Sequence, residues 1–173
     1  MSDHKSATSL KNEIEKKLNE QIEREAYAAF FYYSVASWMD EQGYTGATNF
    51  FFGQGDEEWE HMKKIFHFVN RADGRVVVPS IKQPPKEFQS FREAFKQSLE
   101  NEKSVTKSIH EIVDLCLSEK DYTTFNFLQW YVDEQLEEED LFSTLLDKID
   151  ILEDSKGFYL LDQELEHRGK AEV

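Results

Sequence analysis

The sequence predicts an all-α protein: a bundle of four long helices with one long crossover connection and a short fifth helix towards the C-terminus. Three observations carry this expectation. Only seven glycines and three prolines occur in 173 residues, in a chain otherwise rich in Glu, Lys, Leu, Phe and Ala, a balance that favours helices. Apolar residues recur every three or four positions through four long stretches, which is the period of one helical face. Between the second and third stretches lies a segment without that period, and it holds all three prolines, Pro79, Pro84 and Pro85. A hydrophobic content of 39% suffices for one continuous core, so residues 1–173 are read as one domain, with the bundle over about 9–152 and the tail helix over about 156–168.

The first helix is expected from about Ser9 to Met39, with Leu10, Ile14, Leu18, Ile22, Glu25, Ala29, Tyr32, Val35 and Met39 on one stripe. The second follows Gly43-Tyr44-Thr45-Gly46 and runs to about Ala72, stopping at Asp73-Gly74, with Phe51, Glu58, His61, Met62, Ile65 and Phe68 facing inward. Gly53 and Gly55 interrupt it. Each costs about 1 kcal/mol relative to Ala in a helix, so this stretch predicts a kink or a close helix contact. Arg75 to Gln89 reads as an extended connection long enough to cross a bundle. Ser90 and Glu93 form a capping-box pattern at the start of the third helix, which carries Phe91, Phe95, Leu99, Glu102, Val105, Ile109, Val113 and Cys116. After Ser118-Glu119-Lys120-Asp121 the fourth carries Phe125, Leu128, Tyr131, Gln135, Glu138, Phe142, Leu145, Ile149 and Leu152. Three of these helices exceed about 40 Å at ~1.5 Å per residue, lengths that suit two hairpins joined by one crossover.

A formal charge of -15 disfavours nucleic acid and anionic membrane surfaces and favours cations as partners. The single cysteine, Cys116, has no internal partner for a disulfide, and the start MSDHKSATSL lacks the apolar core of a signal peptide. Both features fit a cytoplasmic protein. No window approaches the roughly 20 apolar residues that span a bilayer.

On the apolar stripe of every bundle helix sits at least one carboxylate: Glu25, Glu58 with His61, Glu102, and Glu138 beside Gln135. Buried carboxylates must be compensated, and the absence of Lys and Arg from the same stripes leaves a bound metal as the simplest compensation. Glu58-x-x-His61 places a carboxylate and an imidazole on one helical face. Taken alone that spacing is weak, because Glu164-x-x-His167 repeats it in the tail with no core stripe around it and is read as incidental. The joint interruption of four stripes is the discriminating pattern. Oxygen ligands with one imidazole and no thiolate suit Fe or Mn, and four carboxylates balance two divalent ions. Such a dinuclear site could pass electrons from Fe2+ to O2 or peroxide. Tyr32 could hydrogen-bond a ligand or supply an electron; equally, it could be a core aromatic whose hydroxyl a buried acid satisfies. The run Asp133 to Asp140 is mostly a solvated face, although Glu134 and Glu137 together with Glu57 could form a second acidic cluster that holds either iron or water.

The chain resembles the bacterial non-haem ferritins over nearly its whole length. The segment Thr124-Phe125-Asn126-Phe127-Leu128-Gln129-Trp130-Tyr131-Val132, followed by Glu134-Gln135 and Glu137-Glu138-Glu139, carries the resemblance together with Glu25, Glu57-Glu58-x-x-His61 and Glu102 in the matching order. By resemblance, Glu25, Glu58, His61, Glu102 and Glu138 correspond to ferroxidase ligands, and Gln135 adjoins them. Glu57, Glu134 and Glu137 correspond to a third iron site, and Tyr32 to a tyrosine near the iron pair. The resemblance implies a ferritin-like bundle, Fe2+ oxidation by O2 or hydrogen peroxide, and ferric mineral stored in a hollow homo-oligomeric shell of twenty-four subunits. Gln135-x-x-Glu138 stands where bacterioferritins have a second Glu-x-x-His, so the second iron is expected to lack an imidazole. Trp59 stands where a bacterioferritin places its haem-ligating methionine, so no haem is expected. The alternatives are a small di-iron peroxidase or oxidase of the rubrerythrin type, which the lack of a Cys-x-x-Cys module disfavours, and a non-catalytic helical bundle.

Overall fold

The computed structural model describes residues 10–152 and 155–168, the side chains of 155, 156, 167 and 168 excepted. Five helices follow one another: α1 (Asn12–Glu41), α2 (Thr45–Arg71), α3 (Phe91–Glu119), α4 (Tyr122–Leu152) and α5 (Ser155–Arg168), with no strand among the described residues. The expected start of the first helix at Ser9 lies outside them. Sequence and structure agree within three residues at the other ends, and the stretch from 73 to 90 is without helix or strand. Ser90 caps α3, its Oγ accepting from the Glu93 amide at 3.1 Å. The return half of the box is replaced, because the Glu93 carboxylate accepts from Gln97. Asp121 caps α4 in the same manner, its carboxylate accepting from the Thr124 amide at 3.0 Å. Asp73 and Lys120 adopt left-handed backbone, with φ of 59° and 57°, which ends α2 and α3 without a glycine at that position.

The core is two apolar clusters stacked along the bundle. One gathers Val35 and Met39 of α1, Phe51 of α2, Phe95 of α3 and Phe142 of α4. The other gathers Ile14 and Leu18, Ile65 and Val69, Ile109 and Ile112, and Leu128 and Tyr131. Read by residue number, α1 and α4 pass from the second cluster to the first, whereas α2 and α3 both pass from the first to the second. Helices α2 and α3 therefore run parallel, and the chain between them must return along the bundle. Extended backbone at up to ~3.3 Å per residue can cover that length, and the buried side chain of Phe88 pins its far end in the first cluster.

Gly53 and Gly55 do not break α2, which is continuous through both. A Cβ on Gly55 would lie 2.4 Å from the Tyr33 ring, whereas one on Gly53 would meet nothing. Of the two outcomes the sequence predicted, the close helix contact is therefore the one observed. Gly46, expected before the helix, lies inside it, and its missing Cβ lets the backbone of α5 approach at Asp162. The buried Asp162 carboxylate accepts from the Ala47 amide at 2.8 Å, tying α5 to the first turn of α2. No described helix is long and apolar enough to cross a membrane.

Candidate metal centre

On each bundle helix the polar interruption falls where one apolar cluster gives way to the other. Glu25 lies between Ile22 and Phe31, Glu58 and His61 between Phe51 and Ile65, Glu102 between Phe95 and Val105, and Gln135 and Glu138 between Tyr131 and Phe142. All six are buried. Ligand atoms of Glu25, Glu58 and His61 lie within 4.8 Å of one another. His61 Nδ1 stands 3.4 Å from Glu58 Oε2 without a hydrogen bond between them. The imidazole is braced edge-on by Trp130 and Tyr131, and the Tyr131 hydroxyl donates to the His61 carbonyl oxygen at 2.8 Å.

Glu102 and Glu138 face this group from α3 and α4 without joining it at that distance. Both oxygens of Glu102 already accept hydrogen bonds, one from the Tyr32 hydroxyl and the other from Gln135 Nε2 at 3.1 Å. Tyr32 is held by stacking contacts with Phe51 and Phe142, which also stack on each other. Gln135 therefore holds a carboxylate in this structure, with its amide nitrogen, and not its oxygen, turned towards Glu102. Glu25 Oε2, Glu58 Oε2, His61 Nδ1 and Glu138 Oε2 are buried without a hydrogen-bond partner. Such atoms are uncommon inside proteins, and three of them gathered on Glu25, Glu58 and His61, with that of Glu138 facing from α4, mark a site shaped for a cation.

The electrostatics agree. Burial, then the charge of Glu102, raises Glu58 well above the ordinary carboxylate range, and burial likewise raises Glu25. Burial lifts Glu102 to about 7, and burial with the neighbouring acids lifts Glu138 to about 9. Burial, with the Lys64 charge adding to it, lowers His61 to about 4, leaving a neutral imidazole able to act as a ligand. Burial and the Glu102 charge keep the Tyr32 phenol protonated. No Lys or Arg pairs with these four glutamates among the described residues; burial drives such carboxyls towards the neutral form, and a bound cation would restore their charge.

Glu57, His61 and Glu134 form a second group whose ligand atoms also lie within 4.8 Å. Glu137, expected in this cluster, is exposed and does not join it, although its charge helps raise Glu134. Lys64 sits over the Trp130 ring, with Nζ 3.1 Å from the centroid, beside the same group. In the tail, Glu164 accepts from Lys148 at 2.6 Å, in keeping with its reading as incidental, and the His167 side chain lies outside the described residues.

A family model described as a ferritin-like domain matches residues 15–152. The chain belongs to the ferritin family. A bacterial non-heme ferritin of Campylobacter jejuni is 46% identical over 155 residues, covering 89% of this chain and 93% of its own. A probable bacterial non-heme ferritin-like protein of Haemophilus influenzae is 41% identical over 157 residues, covering 90% and 95%. Among solved structures, the open pore ferritin of the archaeon Archaeoglobus fulgidus superposes with a TM-score of 0.90 at 41% identity, over 91% of this chain and 98% of that one. In this ferritin, sequence reasoning passed over Gln21, Gln54 and Ser108. Gln21 donates to Glu25 at 2.7 Å, Gln54 donates to Glu57 at 3.2 Å, and Ser108 donates to Gln21 at 2.6 Å. The one signal available was spacing: Gln21 precedes Glu25 by four residues and Gln54 precedes Glu57 by three, both one turn apart.

Proposed function

We propose that this protein oxidises Fe2+ to Fe3+ at a dinuclear centre within each subunit, using O2 or hydrogen peroxide, and stores the ferric mineral in a hollow homo-oligomeric shell of twenty-four chains. The observation that carries the proposal is the set of partnerless buried ligand atoms on Glu25, Glu58, His61 and Glu138. Fe2+ is the substrate. Glu25, Glu58 and His61, already gathered, take the first ion. Glu102 and Glu138, with Glu58 between the two positions, take the second, and the second ion lacks an imidazole. Two Fe2+ ions together release two electrons, enough to reduce O2 to hydrogen peroxide or peroxide to water. Hard oxygen donors suit the ferric ion better than the ferrous one, so this ligand set favours the oxidised product.

Tyr32 positions Glu102 through its hydroxyl and is near enough to the centre to serve as an electron donor. Glu57 and Glu134, with Glu137 at their edge, form a third iron site beside the centre. Haem is not part of the proposal, since Trp59 offers no thioether. Exposed Phe30, Phe52 and Trp59, clustered with Tyr33 on the α1–α2 face, support burial of that face in an assembly. A bundle of this kind working on soluble iron fits the cytoplasm.

The test is stopped-flow oxidation of Fe2+ in air, followed by near-ultraviolet absorbance, alongside a native mass of the assembly. Glu58→Ala and His61→Ala should each abolish the fast phase. A mass near twenty-four chains of 20.4 kDa is expected; a monomer or dimer with unchanged slow iron chemistry would overturn the proposal.

A further inference from the structure

Gln21 is fully buried one turn before Glu25 on α1, an expensive place for an amide unless both of its ends are used. They are. Ser108, on α3, donates its hydroxyl to Gln21 Oε1 at 2.6 Å, and Gln21 Nε2 donates to Glu25 Oε1 at 2.7 Å. An ionised carboxylate only accepts hydrogen bonds, so the amide must present nitrogen to Glu25. The Ser108 hydroxyl secures that orientation by occupying the amide oxygen. One oxygen of Glu25 is thereby tied, while Oε2 has no partner.

We propose that Ser108 and Gln21 form a positioning relay that leaves Glu25 one oxygen for the first ion, and that the relay thereby sets the affinity and coordination of that ion. The proposal rests on the metal-centre reading above. A carboxylate freed from Gln21 can rotate and bind through both oxygens or neither, so the two residues act on metal geometry without touching the metal. Hydrogen-bond partners that orient a ligand typically change metal affinity by about 10–100-fold.

The metal-free full-length protein is titrated with Co2+ alone, followed by calorimetry and by the visible d–d bands, which report coordination number. Gln21→Leu, similar in size and without a donor, should weaken the first Co2+ equivalent by about 10–100-fold and alter its bands. Ser108→Ala should move both readouts in the same direction by less, and Ser108→Thr, which keeps the hydroxyl, should restore them. If Gln21→Leu fails to fold, the Ser108 pair decides alone. Unchanged Co2+ affinity and bands in Gln21→Leu and Ser108→Ala overturn the proposal, as does a lowered melting temperature in both with wild-type Co2+ binding. Glu58→Ala and His61→Ala in the same assay separate the two failures. If they retain the first equivalent, the metal centre itself is wrong; if they lose it while the Gln21 and Ser108 variants keep it, only the relay is.

Discussion

Glu102 and Glu138 keep protons into the neutral range and beyond because burial removes the water that would stabilise their charge, raising them to about 7 and about 9. A divalent ion needs them ionised, so binding must expel those protons. The sign follows: protons bound without metal and absent with it make affinity rise with pH, up to about 9. His61, held down to about 4, contributes no proton above pH 5 or so. Titration of the metal-free protein with Co2+ in buffers of differing ionisation enthalpy should show proton release at neutral pH and tighter binding as pH rises; pH-independent binding would contradict the burial argument. Tyr32→Phe tests a neighbouring contact. Stacking on Phe51 and Phe142 survives, but Glu102 loses a donor, so stability should fall by about 1–3 kcal/mol with Co2+ stoichiometry unchanged and Fe2+ oxidation slowed. At this scale Glu25, Glu58, His61, Glu102 and Glu138 were legible because each is an ionisable side chain on an apolar stripe. Ser108 was not, since its role depends on a partner 87 residues away that no local pattern reveals.

The helices themselves were legible because their period and capping residues are local. Their mutual contacts were not. Nothing in the sequence says what surrounds Gly46, Gly53 and Gly55, yet a Cβ would meet the Asp162 carbonyl oxygen at 1.7 Å in the first case, nothing in the second and the Tyr33 ring at 2.4 Å in the third. Gly53→Ala should therefore stabilise α2 by up to about 1 kcal/mol, the helix-propensity difference alone. Gly55→Ala should destabilise, because the Tyr33 ring must move and its hydrogen bond to Asp56 is disturbed. Gly46→Ala should be the most damaging, displacing α5 and breaking the Asp162 contact to the Ala47 amide. Thermal unfolding of the three variants gives the ordering directly; a uniform response would mean that helix propensity, not packing, governs these positions.

At the scale of the molecule, two apolar clusters are separated by a layer of acids, and the fold tolerates that layer in the metal-free state by protonating it. The parallel run of α2 and α3 was implied by the long connection. The docking of α5 and the exposed aromatic face were not, since both depend on surfaces assembled from distant residues. The protonated layer has a consequence for stability. Glu102 and Glu138 titrate near 4.5 when unfolded and higher when folded, so between those values the folded state binds more protons than the unfolded one. Stability then falls as pH rises. The cost of ionising them in the folded state is absent below about 4.5, grows as pH rises, and is complete once pH has passed about 7 for Glu102 and about 9 for Glu138. The metal-free protein should accordingly melt at lower temperature as pH is raised across that window, and Glu138→Gln, neutral throughout, should flatten the upper part of the decline. A bound divalent ion reverses the dependence, because it stabilises the ionised layer and binds only the folded chain. Saturating Co2+ should therefore raise the melting temperature most at the alkaline end. If metal-free and metal-loaded proteins instead lose stability in parallel with pH, the acids between the clusters are not the groups that a cation neutralises.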